Sequence, residues 1–121
     1  MLLTLTLPRI GEHMTTAVVR TLHGAPGSAL GMGAKLLDVA VDLSAVAAQD
    51  CPPVALYRIA LRDRCWLREW CVAPGAEHGI GDLLARFTTE ADEPLTGPPA
   101  RAVRIAIAGI VDPSEWWGGP A

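Results

Sequence analysis

The chain has 121 residues, half of them apolar, and a net charge of −3 from 10 Lys or Arg against 13 Asp or Glu. That length suits one domain able to bury roughly 60–70% of the surface its unfolded form exposes. No apolar run approaches the ~18 residues that span a bilayer, and the arginines are scattered rather than set in a basic stripe, so the composition argues against a membrane and a nucleic-acid partner. The start of the chain has no basic residue ahead of its apolar part and no small-residue cleavage site, which gives a cytoplasmic expectation.

Residues 2–7 form the first expected strand, and residues 16–22 (Thr-Ala-Val-Val-Arg-Thr-Leu) the second, rich in β-branched positions. Residues 36–42 alternate apolar and small or polar and read as a third strand; residues 54–62 read as a fourth and 65–72 as a fifth. Residues 83–89 carry two competing patterns. Asp82 could cap a helix bearing Leu83, Leu84 and Phe87, but the equivalent stretch in the first half has period two, which favours a strand. A linker-like Thr96-Gly97-Pro98-Pro99 follows, then a further strand over 102–111 and a tail, 112–121, expected to be irregular. This divides the chain into a domain over 1–95 and a C-terminal extension over 96–121.

The chain contains two copies of one unit. Ala25-Pro26-Gly27, Gly31, Gly33 and Leu36 recur without a gap as Ala73-Pro74-Gly75, Gly79, Gly81 and Leu84, at a constant offset of 48, and Arg20 matches Arg68. Glycines in this setting suit turns with positive φ, and proline fixes the residue before them. Each copy is a strand, loop, strand unit.

The stretch Leu7-Pro8, Ile10-Gly11-Glu12, Met14-Thr15, Ala17-Val18-Val19-Arg20, Pro26-Gly27, Gly31, Gly33 and Leu36-Leu37-Asp38-Val39-Ala40-Val41-Asp42 resembles the lipoyl domain of 2-oxo-acid dehydrogenase acyltransferase components. The resemblance covers about residues 2–93. It implies an all-β fold, a flattened sandwich or barrel of two four-stranded sheets with a quasi-two-fold axis, to which this chain adds a C-terminal strand and tail. In that family the hairpin after this strand presents Asp-Lys-Ala, and lipoate is attached to the lysine; the biotinyl version presents Met-Lys-Met. Here Asp42-Leu43-Ser44 stand at the hairpin, so the acceptor position is Leu43, which has no nitrogen to acylate. Lys35, the single lysine, lies eight residues earlier. The sequence therefore argues against lipoate and biotin as cofactors. Ser44 could carry another arm, although serine in a tight turn ordinarily serves backbone hydrogen bonds.

The remaining candidate residues carry little chemistry by spacing. Cys51, Cys65 and Cys71 contain no CxxC pair, and Cys65 and Cys71 read as small buried residues. His13, His23 and His78 have no partner at a recognised metal spacing, so no metal is expected. A nucleophilic set drawn from Cys71 or Ser44 with His23 or His78 exists only by assumption. Tryptophan is more informative: Trp66 and Trp70 are expected on one face of a strand beside Arg68, and Trp116-Trp117 stand in the tail, either on a partner or folded over the sandwich.

Three functions follow as expectations. The first is an interaction or accessory module of a multienzyme or biosynthetic system, docking a protein partner through Leu43, Ser44, Trp116 and Trp117, with a homodimer through the C-terminal strand as one form. The second is a small enzyme or small-molecule binder with a pocket joining Trp66 or Trp70 to Arg68. The third is a carrier modified at an unusual residue.

Overall fold

The computed structural model describes residues 1–11, 14–42 and 54–110, with the side chain of Asp42 excepted. The described residues form no helix and ten strands: β1 (Leu2–Thr6), β2 (Thr16–Leu22), β3 (Ala29–Leu30), β4 (Lys35–Asp42), β5 (Val54–Leu61), β6 (Cys65–Trp70), β7 (Glu77–Gly79), β8 (Leu83–Thr88), β9 (Arg101–Ala102) and β10 (Ile105–Ile110). They build two five-stranded sheets, ordered β3-β6-β8-β1-β9 and β10-β5-β4-β2-β7. The chain is all-β, with the two-sheet character of a β-sandwich. The ambiguous segment after Asp82 is a strand.

The sequence repeat is also a repeat of backbone hydrogen bonds. Gly27 N–H donates to the Leu67 carbonyl and Leu67 N–H to the Ser28 carbonyl; 48 residues on, Gly75 N–H donates to the Val19 carbonyl and Val19 N–H to the Ala76 carbonyl. His23 N–H to Leu36 is matched in the same way by Cys71 N–H to Leu84. Each bond crosses between halves or recurs within each, so the loop of one copy is held by the strand of the other. The short β3 of the first copy accordingly pairs with β6 of the second, and β7 of the second with β2 of the first. Neither copy forms a sheet from its own strands alone.

Arg20 and Arg68, matched in the repeat, occupy matched irregularities. The β2–β4 register runs Val19↔Val39 and then Thr21↔Asp38, and the β6–β8 register runs Leu67↔Phe87 and then Glu69↔Arg86. Each arginine is the extra residue of a β-bulge, with nothing directly opposite it. A bulge inserts one residue into the alternation, so inward positions fall three apart: Val19 with Leu22, and Leu67 with Trp70.

The core lies between the sheets and draws equally on both halves. Val19, Leu36, Leu37 and Val39 from one copy meet Leu67, Leu84, Ala85 and Phe87 from the other, all 0–1% exposed. Burying such a side chain contributes about 1.5–3 kcal/mol. β1 and β5 supply Leu3, Leu5, Ile59 and Leu61 to the same cluster.

The C-terminal segment departs from expectation. Instead of one strand over 102–111 it forms two, one on each sheet: β9 parallel to β1, and β10 antiparallel to β5. Each sheet therefore has five strands rather than four. Val103, between them, is 6% exposed, and its N–H donates to the Thr4 carbonyl, so the chain crosses from one sheet to the other through the edge of the core. Arg101 anchors the crossing by donating to both carboxylate oxygens of Asp63, at 2.6 and 3.2 Å. That pairing, above all the Arg101 hydrogen bond, holds the Asp63 carboxyl at about 2, against the ordinary 3.8.

Candidate functional site

β4 ends at Asp42, whose backbone pairs with Val54 at the start of β5. The residues between them, Leu43 and Ser44 included, lie outside the described residues, as do Trp116 and Trp117. Lys35 sits at the other end of β4, paired with Ala60. Seven residues of strand, about 24 Å at 3.4 Å each, separate it from Asp42.

Trp66 and Trp70 do not share a face. The Arg68 bulge between them reverses the alternation. Trp66 stands opposite Thr88, on the outer face with the Glu69–Arg86 pair, whereas Trp70 stands opposite Ala85, on the face of Leu67 and Phe87. Trp70 packs against the core and its indole N–H donates to the Gly24 carbonyl at 2.8 Å. A side chain at Gly24 would meet Leu67 Cδ2 at 2.8 Å, so glycine there gives Leu67 its place. Nor does Arg68 join either tryptophan: its Nη1 donates to Thr88 Oγ1 at 3.2 Å and to the Glu93 carbonyl. The bulge arginine thereby ties the end of β8 to the segment that follows it.

A surface depression of about 370 Å³ lies beside β3 and β6, lined by Leu30, Arg64, Trp66 and Thr89 among others. It contains one of the two tryptophans and a different arginine from the one expected. Cys65, at its floor, is buried, and burial, reinforced by the charge of Asp63, pushes its thiol up to about 11. Such a thiol is neutral near pH 7 and a poor nucleophile.

Two polar clusters occupy quasi-equivalent positions on the two sheets, and sequence reasoning missed both. In the first, Arg58 Nε and Nη2 donate to Asp38 Oδ1 and Oδ2 at 2.8 and 3.2 Å, and His23 Nε2 lies 3.0 Å from Oδ2. Burial by itself would raise the Asp38 carboxyl, but the hydrogen bonds from Arg58 and His23 outweigh it and hold the group below its ordinary value. In the second, Arg86 Nη2 donates to Glu69 Oε1 at 2.8 Å and the Cys71 thiol to the same oxygen at 3.5 Å. Cys71, expected to be buried like Cys65, is exposed; its thiol is raised first by partial desolvation and then by Glu69, so it is not activated. His23 matches Cys71, and Asp38 matches Arg86, so the copies use opposite charges at one position. The pairing puts His23 with Asp38 and Cys71 with Glu69 and does not unite the two. His78 contacts Asp82, Nδ1 to Oδ2 3.4 Å, and not a cysteine. The available signal was a carboxylate in the apolar interior of β4 with an arginine on the adjacent β5.

Among the described residues, no three His, Cys, Asp or Glu side chains are grouped as metal ligands, and no helix is long and apolar enough to cross a membrane. No family model, curated protein or solved structure matches the chain.

Proposed function

We propose that the chain is a lipoyl-like hammerhead sandwich that carries neither lipoate nor biotin and serves as a protein-interaction module of a multienzyme or biosynthetic system. Supporting the fold assignment, β1–β8 fall into two interlocked four-strand sets related by the internal repeat, with β9 and β10 added outside them. Supporting the loss of carrier chemistry, Leu43 stands at the acceptor position, and the single lysine, Lys35, begins β4 rather than ending it. Neither polar cluster offers an activated nucleophile, and the depression beside Trp66 brings in only Arg64 and Thr89 as polar side chains besides the buried, neutral Cys65. The small-molecule reading is thus the weaker one.

The observation that carries the interaction reading is β10, an edge strand of sequence Ile-Ala-Ile-Ala-Gly-Ile without a charge or a proline. Exposed edges of this kind are pairing templates unless something protects them. In vitro treatment with lipoate and biotin ligases is expected to leave the intact mass unchanged, and a mass gain of one lipoyl or biotinyl group would overturn the non-carrier assignment. Cross-linking in the source cell should yield a discrete higher-mass species containing the chain. Recovery of the monomer alone would remove the interaction role.

A further inference from the structure

The four strands at the sheet edges differ in length: β3 and β9 have two residues each, β7 has three, and β10 has six. Short edges are one of the ordinary protections against strand addition, and β10 lacks it. Arg62 N–H donates to the Arg104 carbonyl, which carries the β5–β10 ladder one pair beyond Ile105↔Leu61. By the alternation of an antiparallel ladder the even-numbered residues bond to β5, and the amides and carbonyls of Ile105, Ile107 and Gly109 point to the open edge. The added pair also sets two arginines directly opposite each other, with Cβ atoms about 5 Å apart. Both are exposed, and neither guanidinium has a hydrogen bond or ion pair among the described residues. Asp63, next in sequence to Arg62, gives both carboxylate oxygens to Arg101 and one of them also to the Arg104 amide. Like charges facing each other across a ladder are unfavourable, and a carboxylate placed between them would turn repulsion into attraction.

From this edge we infer that β10 docks an extended segment of a partner protein, added as an antiparallel strand of alternating apolar residues that ends in an acidic side chain held by Arg62 and Arg104. The inference rests on the interaction reading and names the chemistry of the partner. Opposite residues in a ladder share a face. Segment residues opposite Ile105, Ile107 and Gly109 fall on the core side, where Ile107 is 38% exposed although its β5 partner Ile59 is fully buried. Apolar side chains there extend the core over Ile107. Residues opposite Ala106 and Ala108 fall on the outer face, where β10 presents only methyl groups and accepts side chains of varied shape. The residue opposite Arg104 comes last in an antiparallel segment, and there the two arginines require the acid. β10 has no acidic residue of its own, so pairing with the β10 of a second copy would bring no carboxylate from that strand. Charge therefore selects a different partner.

Fluorescence anisotropy of the purified full chain with the peptide Thr-Val-Thr-Val-Thr-Val-Glu, labelled at its N-terminus and amidated at its C-terminus, tests this. Saturable binding is expected. Replacing the glutamate by glutamine removes two surface ion pairs, so at about threefold for each it should weaken binding roughly tenfold. The R62E/R104E variant, with unchanged far-UV circular dichroism, should instead prefer a peptide ending in lysine. N-methylation of the central valine, opposite Ile107, removes an amide that faces β10 and should weaken binding about tenfold. The same change at the threonine before it, whose amide faces away, should stay within about threefold. Absence of binding up to about 1 mM, no preference for glutamate, or equal effects of the two methylations would each overturn the inference. So would a concentration-dependent dimer in sedimentation velocity that the peptide does not dissociate, because a second copy would then hold the edge. Failure of the peptide alongside a discrete cross-linked species in the cell would overturn this edge assignment alone and leave the interaction reading standing. Recovery of the monomer alone in the cell would remove both.

Discussion

Gly27→Ala and Gly75→Ala are expected to destabilise the sandwich by the same amount, about 1–2 kcal/mol each. Both glycines have positive φ, 91° and 92°, and an added Cβ at either meets nothing within 4 Å. Steric clash with neighbours is therefore absent, and what remains is the local backbone penalty of an L-residue on the left-handed side, about 1–2 kcal/mol. Gly27 bonds to Leu67 and Gly75 to Val19, so the two share no partner, and the double variant should lose about 3 kcal/mol by addition. Gly31→Ala serves as control, because its site is equally open but its φ is not positive; it should be neutral or stabilising by about 0.4–1 kcal/mol. Urea denaturation with constant slope reads these differences, and each kcal/mol should lower the melting temperature by about 4 °C. If one glycine tolerates alanine and the other does not, the two loops are not equivalent. If both behave like Gly31, the turns relax, and the backbone argument fails.

Asp38→Asn should cost about 1–2 kcal/mol through loss of the charged bonds to Arg58 and His23. Because the folded carboxyl lies below its ordinary value of 3.8, this contribution is complete above that value and is lost as the pH falls through the lowered one. The stability difference from the parent should thus be full at about pH 6 and shrink in acid; a pH-independent difference would point to packing instead. Trp70→Phe should lose about 1 kcal/mol with the Gly24 bond, and Trp66→Phe, on the outer face, less than about 0.5 kcal/mol. Equal urea midpoints for the two would argue against the bulge-induced change of face. In a Cys51→Ser background, a thiol reagent at about pH 8 should modify Cys71 in the folded protein and Cys65 only on unfolding. Labelling of Cys65 at the rate of Cys71 would contradict its burial.

The repeat made much of the fold legible, since the paired turns Ala25-Pro26-Gly27 and Ala73-Pro74-Gly75 mark where each half bends and which strands correspond. Six of the seven expected strands match the observed ones to within two residues at either end, and β2 matches at both. What stayed hidden has physical causes. β3 and β7 are two and three residues long, too short for any periodicity to register. Arg20 and Arg68 stood out as a matched pair, but a bulge depends on the strand opposite and has no period of its own, so the faces of Trp66 and Trp70 came out wrong. The Asp38–Arg58 pair joins two strands across a connection of many residues, and no local pattern places those side chains together. The C-terminal segment read as one strand because Val103, Ile105 and Ile107 alternate with smaller or polar residues. The crossing at Val103 and Arg104 is set by tertiary bonds to Thr4 and Arg62.

The C-terminal extension changes the edge problem of the sandwich without abolishing it. Beside β1 it leaves only a two-residue edge, β9, anchored by the Arg101–Asp63 pair. Beside β5 it covers an eight-residue strand with one of six, and the outward edge passes from β5 to β10. The new edge differs from the old in its side chains: β5 carries Arg58 next to that edge, whereas β10 carries nothing larger or more polar than isoleucine. Gly109 lies in the strand with the ring of Tyr57 at 4.0 Å from the position of its missing Cβ, so the inner side is packed by a neighbouring aromatic while the outer backbone stays accessible. A segment serving only to close the sheet would gain from a charge at Ala106 or Ala108, both exposed. The absence of a charge there makes the added strand an edge suited to pairing.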